Sequence, residues 1–213
     1  MTIIDAPQLN NLQITFFNQF DFDTQGLAQF INRTPKLGIR DEVHVGIDEI
    51  CVRVLFRTDR LQIFIPCRPN RRLSSITQIC NSTLSSRVED LYIEHPYSQL
   101  FWQNDAIGKT LWLQLLLPFT AVKNLYLSKE FGPGIAAALQ ELVGARITEV
   151  LPSLRNIFVQ RLEPSGPFRE NIGQFVAARQ LSDHPIAIFV WDKDPCSNEA
   201  FFKTLFSYSG RKG

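Results

Sequence analysis

A chain of 213 residues with 45% hydrophobic side chains is long enough to bury a substantial core, and nothing in its composition suggests disorder. Its 22 basic and 21 acidic residues leave a formal charge of +1, so no global field draws it to nucleic acid or to anionic lipid. The longest apolar run, 111–119, is broken by Gln114 and falls far short of the ~20 residues of a membrane span.

Residues 1–11 show neither a basic start nor a continuous apolar run, so the reading expects no secretory signal and an intracellular protein, cytoplasmic or nuclear. Alternation over Leu12–Phe16 predicts a first strand. Asp23 and Thr24 then cap a helix carrying Leu27, Phe30 and Ile31, which Thr34-Pro35 closes. Val43–Ile47 is the next strand; Val52–Phe56, after the Asp48-Glu49 turn, returns antiparallel before Leu61–Ile65. From Ser74, the spacing of Ile76, Ile79, Cys80 and Leu84 predicts a short helix leading to a strand at Val88. A wide loop, 96–104, holds Phe101 and Trp102. Lys109–Leu117 is a helix stopped by Pro118 ahead of a strand at Val122.

Gly132-Pro133-Gly134 opens a helix with Ile135, Leu139, Leu142 and Val143 as its buried stripe and Gly144 as its stop. Residues 147–152 carry the chain to a strand at Leu154. A further helix bears Ile172, Phe175, Val176 and Leu181 and ends at His184-Pro185, before a last strand at Ile186–Val190. Beyond Asp192, Phe201, Phe202, Leu205 and Phe206 give a capping helix or a mobile tail.

Three of these strands are written alike. Val88–Ile93, Val122–Leu127 and Leu154–Val159 each read apolar, charged, Asp or Asn, apolar, aromatic, apolar, and their equivalent residues Leu91, Leu125 and Ile157 lie 34 and 32 apart. That period holds one strand, one helix and two connections, and Ile188 follows 31 residues after Ile157. The expected fold is an α/β, irregular leucine-rich-repeat-like solenoid over 1–192, of about six or seven rungs, with a parallel sheet on one side and helices on the other. Residues 193–213 form the cap or tail.

The wording of Leu12–Asn18, Leu111–Leu127 and Ala137–Val143 resembles the C-terminal repeat region of fungal F-box proteins. In that family an N-terminal F-box binds the adaptor of a cullin-type ubiquitin ligase and the repeats select the substrate. No F-box precedes the first strand here. The resemblance therefore implies a non-catalytic substrate-recognition part of such a ligase subunit, or a truncated paralogue, with an adaptor as partner only if an F-box lies upstream.

The catalytic motifs are weak. Ile107-Gly-Lys-Thr110 has the end of a phosphate-binding loop, but Gln103 replaces its first glycine. His44, His95 and His184 read as loop and surface residues, and no nucleophile motif accompanies them. Cys51, Cys67, Cys80 and Cys196 lack zinc spacing and read as reduced, mostly buried thiols. The run Arg68, Arg71, Arg72 reads as a solvated loop. No cofactor, metal, membrane or nucleic acid is called for; an intracellular α/β enzyme or small-ligand binder is the alternative class.

What remains is an aromatic file. Period-2 alternation sends Phe64, Tyr92, Tyr126, Phe158 and Phe189 to the outer side of the sheet, ~5 Å apart, flanked by Asp90, Glu94, Asn124 and Asn156. The expectation is a face that anchors a protein partner, or else rings that pack on one another under loops.

Overall fold

The computed structural model describes residues 12–15, 26, 29–30, 33–34, 41–48, 51–56, 61–66, 72–80, 85–95, 108–142, 144–160 and 166–191. Among them, eight strands form one sheet: β1 (Leu12–Thr15), β2 (Glu42–Ile47), β3 (Cys51–Phe56), β4 (Leu61–Pro66), β5 (Asp90–Glu94), β6 (Asn124–Leu127), β7 (Asn156–Gln160) and β8 (Ala187–Trp191). Its order is β1-β4-β3-β2-β5-β6-β7-β8. The helices described end to end are α1 (Arg72–Cys80), α2 (Lys109–Leu116), α3 (Gly132–Gln140) and α4 (Pro167–Leu181), with a 3-10 turn at Gly144–Thr148; Gly26, Gln29, Phe30 and Arg33 are also helical. The architecture is mixed α/β with a mostly parallel sheet.

The three matching sextets are consecutive parallel neighbours, as their spacing predicts: Leu91 pairs with Leu125 and Leu125 with Ile157. The same row extends to Val43 on β2 and Ile188 on β8. The starts of β5, β6 and β7 are fixed the same way, by one carbonyl that takes two amides at the start of the next strand. Asp41 accepts from Glu89 and Asp90, Glu89 from Lys123 and Asn124, and Lys123 from Arg155 and Asn156, all at 2.7–3.0 Å. Identical starts keep the register identical, so like residues fall beside like.

The N-terminal third departs from that succession. β2, β3 and β4 form an antiparallel meander, and β1 pairs in parallel with β4 at the far edge. Only three residues, 48–50, link β2 to β3, and the Asp48 amide donates to the Cys51 carbonyl at 2.9 Å. So short a link permits only an antiparallel return, because a parallel one needs a crossover of about a dozen residues or more.

Inward-facing Val43, Val45, Leu91, Ile93, Leu125, Leu127, Ile157 and Val159 join the stripes of α1, α2, α3 and α4 in one core. Successive helices pack on each other, α1 on α2, α2 on α3 and α3 on α4. Gly144 ends α3's segment in the left-handed region, at φ 57°, where a side chain would be strained. Cys51 and Cys80 are buried free thiols.

The predicted stripe of the last helix needs a correction. Ile172 and Phe175 are buried, but Leu181 is 89% exposed. At about 100° per residue it lies opposite Ile172, whereas Arg179 continues the buried side. The Arg179 guanidinium donates to the carbonyls of Ile147, Pro152 and Leu154 at 3.1–3.3 Å and stands over the Phe175 ring. It thus ties α4 to the turn before β7, and burial lowers its pKa. At the β8 edge the core is open, since Val190 is 59% exposed where its neighbour Val159 is 3%. The expected cap or tail at 193–213 and the aromatic loop 96–104 lie outside the described residues.

Candidate functional site

The outward residues of the parallel strands stack in rows, because neighbouring strands lie ~4.8 Å apart in register. The first row is polar. The Asn156 Nδ2 donates to Asn124 Oδ1 at 2.7 Å, and the Asn124 Nδ2 donates to Asp90 Oδ1 at 2.6 Å. Each amide reaches back one strand, and the series starts on a carboxylate, which when ionised only accepts. It ends at Ala187, opposite Asn156, which has no polar side chain.

The second row is the aromatic file. Tyr92, Tyr126, Phe158 and Phe189 follow one another with ring centroids 4.1, 4.4 and 5.1 Å apart, each pair stacked. Tyr92, Tyr126 and Phe158 are half-buried and Phe189 is 45% exposed. The rings therefore pack on one another and still present their edges outward.

Phe64, expected as a fifth member, is not in the file. It faces the same side of the sheet, but β4 is separated from β5 by β3 and β2, and its antiparallel register sets Phe64 beside Arg53, which pairs with Gly46. Its ring lies under the Arg53 guanidinium, 5.7 Å away. Arg53 is itself buried, 3.7 Å from Asp48.

Two members escaped the reading of the sequence. His44, taken there for a loop or surface residue, sits in β2 and heads the file, stacked on Tyr92 at 4.1 Å. Its Nε2 meets Glu42 at 2.6 Å and its Nδ1 lies 3.7 Å from Glu94. Burial alone lowers the His44 pKa, but the hydrogen bonds and charges of Glu94 and Glu42 outweigh it and leave the group above its ordinary value. Trp191, on β8, reaches back across the file and lies edge-on to Tyr92 and Tyr126 at 5.7 and 5.3 Å. Both had a signal available: His44 shares the outward parity of Val43–Ile47, and Trp191 stands two residues after Phe189.

Burial first, then the Tyr126 phenol and the carboxylates of Glu42 and Asp90, hold the Tyr92 phenol well above its usual value. Burial likewise raises Tyr126, which the hydrogen bond from Tyr92 partly offsets. Both phenols stay protonated at neutral pH and act as hydrogen-bonding tips on apolar rings.

The other candidates disperse. Lys109 at the start of α2 pairs with Glu141 on the surface, and this pairing lowers the Glu141 pKa. His184 is exposed in the turn before β8, and His95 lies 6.0 Å from the Phe131 ring. Arg72, expected in a solvated loop, is a buried residue at the start of α1, while Arg68 and Arg71 lie outside the described residues. Burial pushes the Cys80 thiol up to about 12 and also raises Cys51, so neither is a ready nucleophile. Among the described residues no group of three or more His, Cys, Asp and Glu is placed to hold a metal ion, and no helix is long and apolar enough to cross a membrane.

Comparison of the chain with family models, with curated proteins and with solved structures returned no match.

Proposed function

We propose that this chain is a non-catalytic protein-recognition unit, built as an irregular leucine-rich-repeat-like solenoid whose outer sheet face receives the partner. The observation that carries the reading is the stacked file Tyr92–Tyr126–Phe158–Phe189, held by ring-on-ring packing, half-buried over its first three rings and exposed at Phe189. Aromatic anchors that lose little side-chain freedom on binding are what hot spots at protein interfaces use. By resemblance of wording, the unit serves as the substrate-recognition part of an F-box-like ubiquitin-ligase subunit, or is a truncated paralogue of one.

A second reading, an α/β enzyme or small-ligand binder, is favoured by a groove of about 660 Å³ at the amino ends of β6, β7 and β8. Lys123, Arg155, Asn156 and His184 line it. Crosslinking of the purified chain to partners in cell extract tests the first reading, with Tyr126→Ala/Phe158→Ala set beside Arg155→Ala/His184→Ala. Loss of the crosslinked partners in the first variant alone supports the aromatic face; loss in the second alone moves the site to the groove. Reading the genomic sequence upstream of Met1 for an F-box tests the ligase link.

A further inference from the structure

The outer face carries a charge asymmetry that its rings do not require. Glu42 and Asp90 lie side by side at the strand starts, and Glu94 lies beside Gly46 at the other end of β5. Asp90, Tyr92 and Glu94 alternate outward along one strand, so the carboxylates flank the tyrosine on both sides. Among the outward residues of the described strands the one permanent cation is Arg53, which is buried beside Asp48. His44 sits between Glu42 and Glu94. Towards β8 the face turns apolar, through Phe158 and Phe189 to Trp191.

We infer that the face of β2 and β5–β8 receives an extended segment of a partner protein carrying lysine or arginine side chains at alternate positions. The inference deepens the recognition reading and rests on it. The rings of the file stack face to face, so their faces are consumed by one another and only tips and edges remain, those of Tyr92 and Tyr126 lying partly against Trp191. Such edges are poor cation receptors, because the negative potential of a ring lies over its face. The cations must therefore go to the carboxylates. The aliphatic stems of the same side chains would lie along the ring edges, which is how long basic residues cover apolar surface while keeping the charge on a polar partner. A strand-like segment matches the face because its side chains repeat about every 6.8 Å on one side, and Asp90 and Glu94 bracket Tyr92 with the same alternation. An acidic segment would meet three carboxylates, answered among the outward residues of the described strands only by His44, which those glutamates already flank, and by the buried Arg53.

The test uses the full chain and three labelled ten-residue peptides that alternate threonine with lysine, with glutamine or with glutamate. Fluorescence anisotropy is read at low and at raised salt. The lysine peptide is expected to bind at least tenfold more tightly than the glutamine peptide and to weaken as salt rises, and the glutamate peptide is expected not to saturate. Asp90→Asn/Glu94→Gln keeps oxygen acceptors at both positions, including the one that Asn124 uses, and should lose at least tenfold for the lysine peptide alone. Glu149→Gln, at a surface pair with Arg146 away from this face, should lose none. Equal binding of the lysine and glutamine peptides, unchanged binding by the double variant, or an equal loss in Glu149→Gln overturns the inference. A parent that crosslinks partners through Tyr126 and Phe158 but ignores the lysine peptide overturns the basic class and leaves the recognition face standing. Failure of that crosslinking in turn removes the face itself.

Discussion

The two halves of the sheet use the same alternation to different ends. Across β5, β6 and β7 every strand repeats its neighbour in register, so Asp and Asn hydrogen-bond in one row and rings stack in the next. Across β2, β3 and β4 the chain doubles back, and the outward rows become mixed: Leu55 opposite His44, and Phe64 and Gly46 on either side of Arg53. Parallel repetition thus turns a short sequence pattern into a continuous surface. The antiparallel meander spends its outward positions on local pairings, including a buried ion pair.

That contrast can be broken first at Arg53. Arg53→Ala leaves Asp48 buried without its cation and should cost about 3–5 kcal/mol in a denaturant melt. A loss below about 1 kcal/mol would mean that the pair does not hold the meander. Next comes Leu125→Ala, which empties the centre of the regular half and should cost about 2–5 kcal/mol. Set beside it, Ile63→Ala in β4 should fall in the same range, since both side chains are equally enclosed on the inner face; the two halves differ outside, not inside.

Asn124→Ala is the sharper probe of the repeat. It removes the donor to Asp90 and the acceptor of Asn156 together, and should cost about 1–3 kcal/mol. Asn156→Ala breaks one bond and should cost less than Asn124→Ala; equal costs would mean that the bond from Asn124 to Asp90 adds nothing to stability.

The smallest effect belongs to His44, where the two halves meet. Its folded pKa lies above the ordinary 6.5, so its contribution to stability is complete below that pH and is lost as the pH rises through the folded value. As the pH rises from 6.5 through the raised folded value, the parent should lose stability that His44→Gln does not lose. A parent and variant with parallel pH profiles would mean that Glu42 and Glu94 do not favour the protonated ring.

The candidate site was legible in part. Tyr92, Tyr126, Phe158 and Phe189 follow from parity and period alone, because in-register parallel strands leave equivalent residues no other neighbours. Phe64 has the right parity and the wrong row, since parity fixes the side of the sheet and not the strand order. His44 was missed for the converse reason: nothing local shows that β2, and not β4, borders β5. The fourth helix failed in a similar way at Leu181, where an apolar residue was preferred to Arg179 although helical spacing favours the arginine.

By itself, the sequence determined the alternation of strands and helices, the parallel neighbours Leu91, Leu125 and Ile157, and the outward aromatic repeat. These depend on periods of two and 3.6 residues and on the length of each crossover, all of which are local. Tertiary structure alone decided that β1 crosses to β4, that a histidine between two glutamates heads the file, that Trp191 leans on its tyrosines, and that Arg179 is buried against three carbonyls. Those outcomes depend on which surfaces meet when distant segments compete for the same sheet edge and the same core, and that competition is settled by packing between residues far apart in the chain.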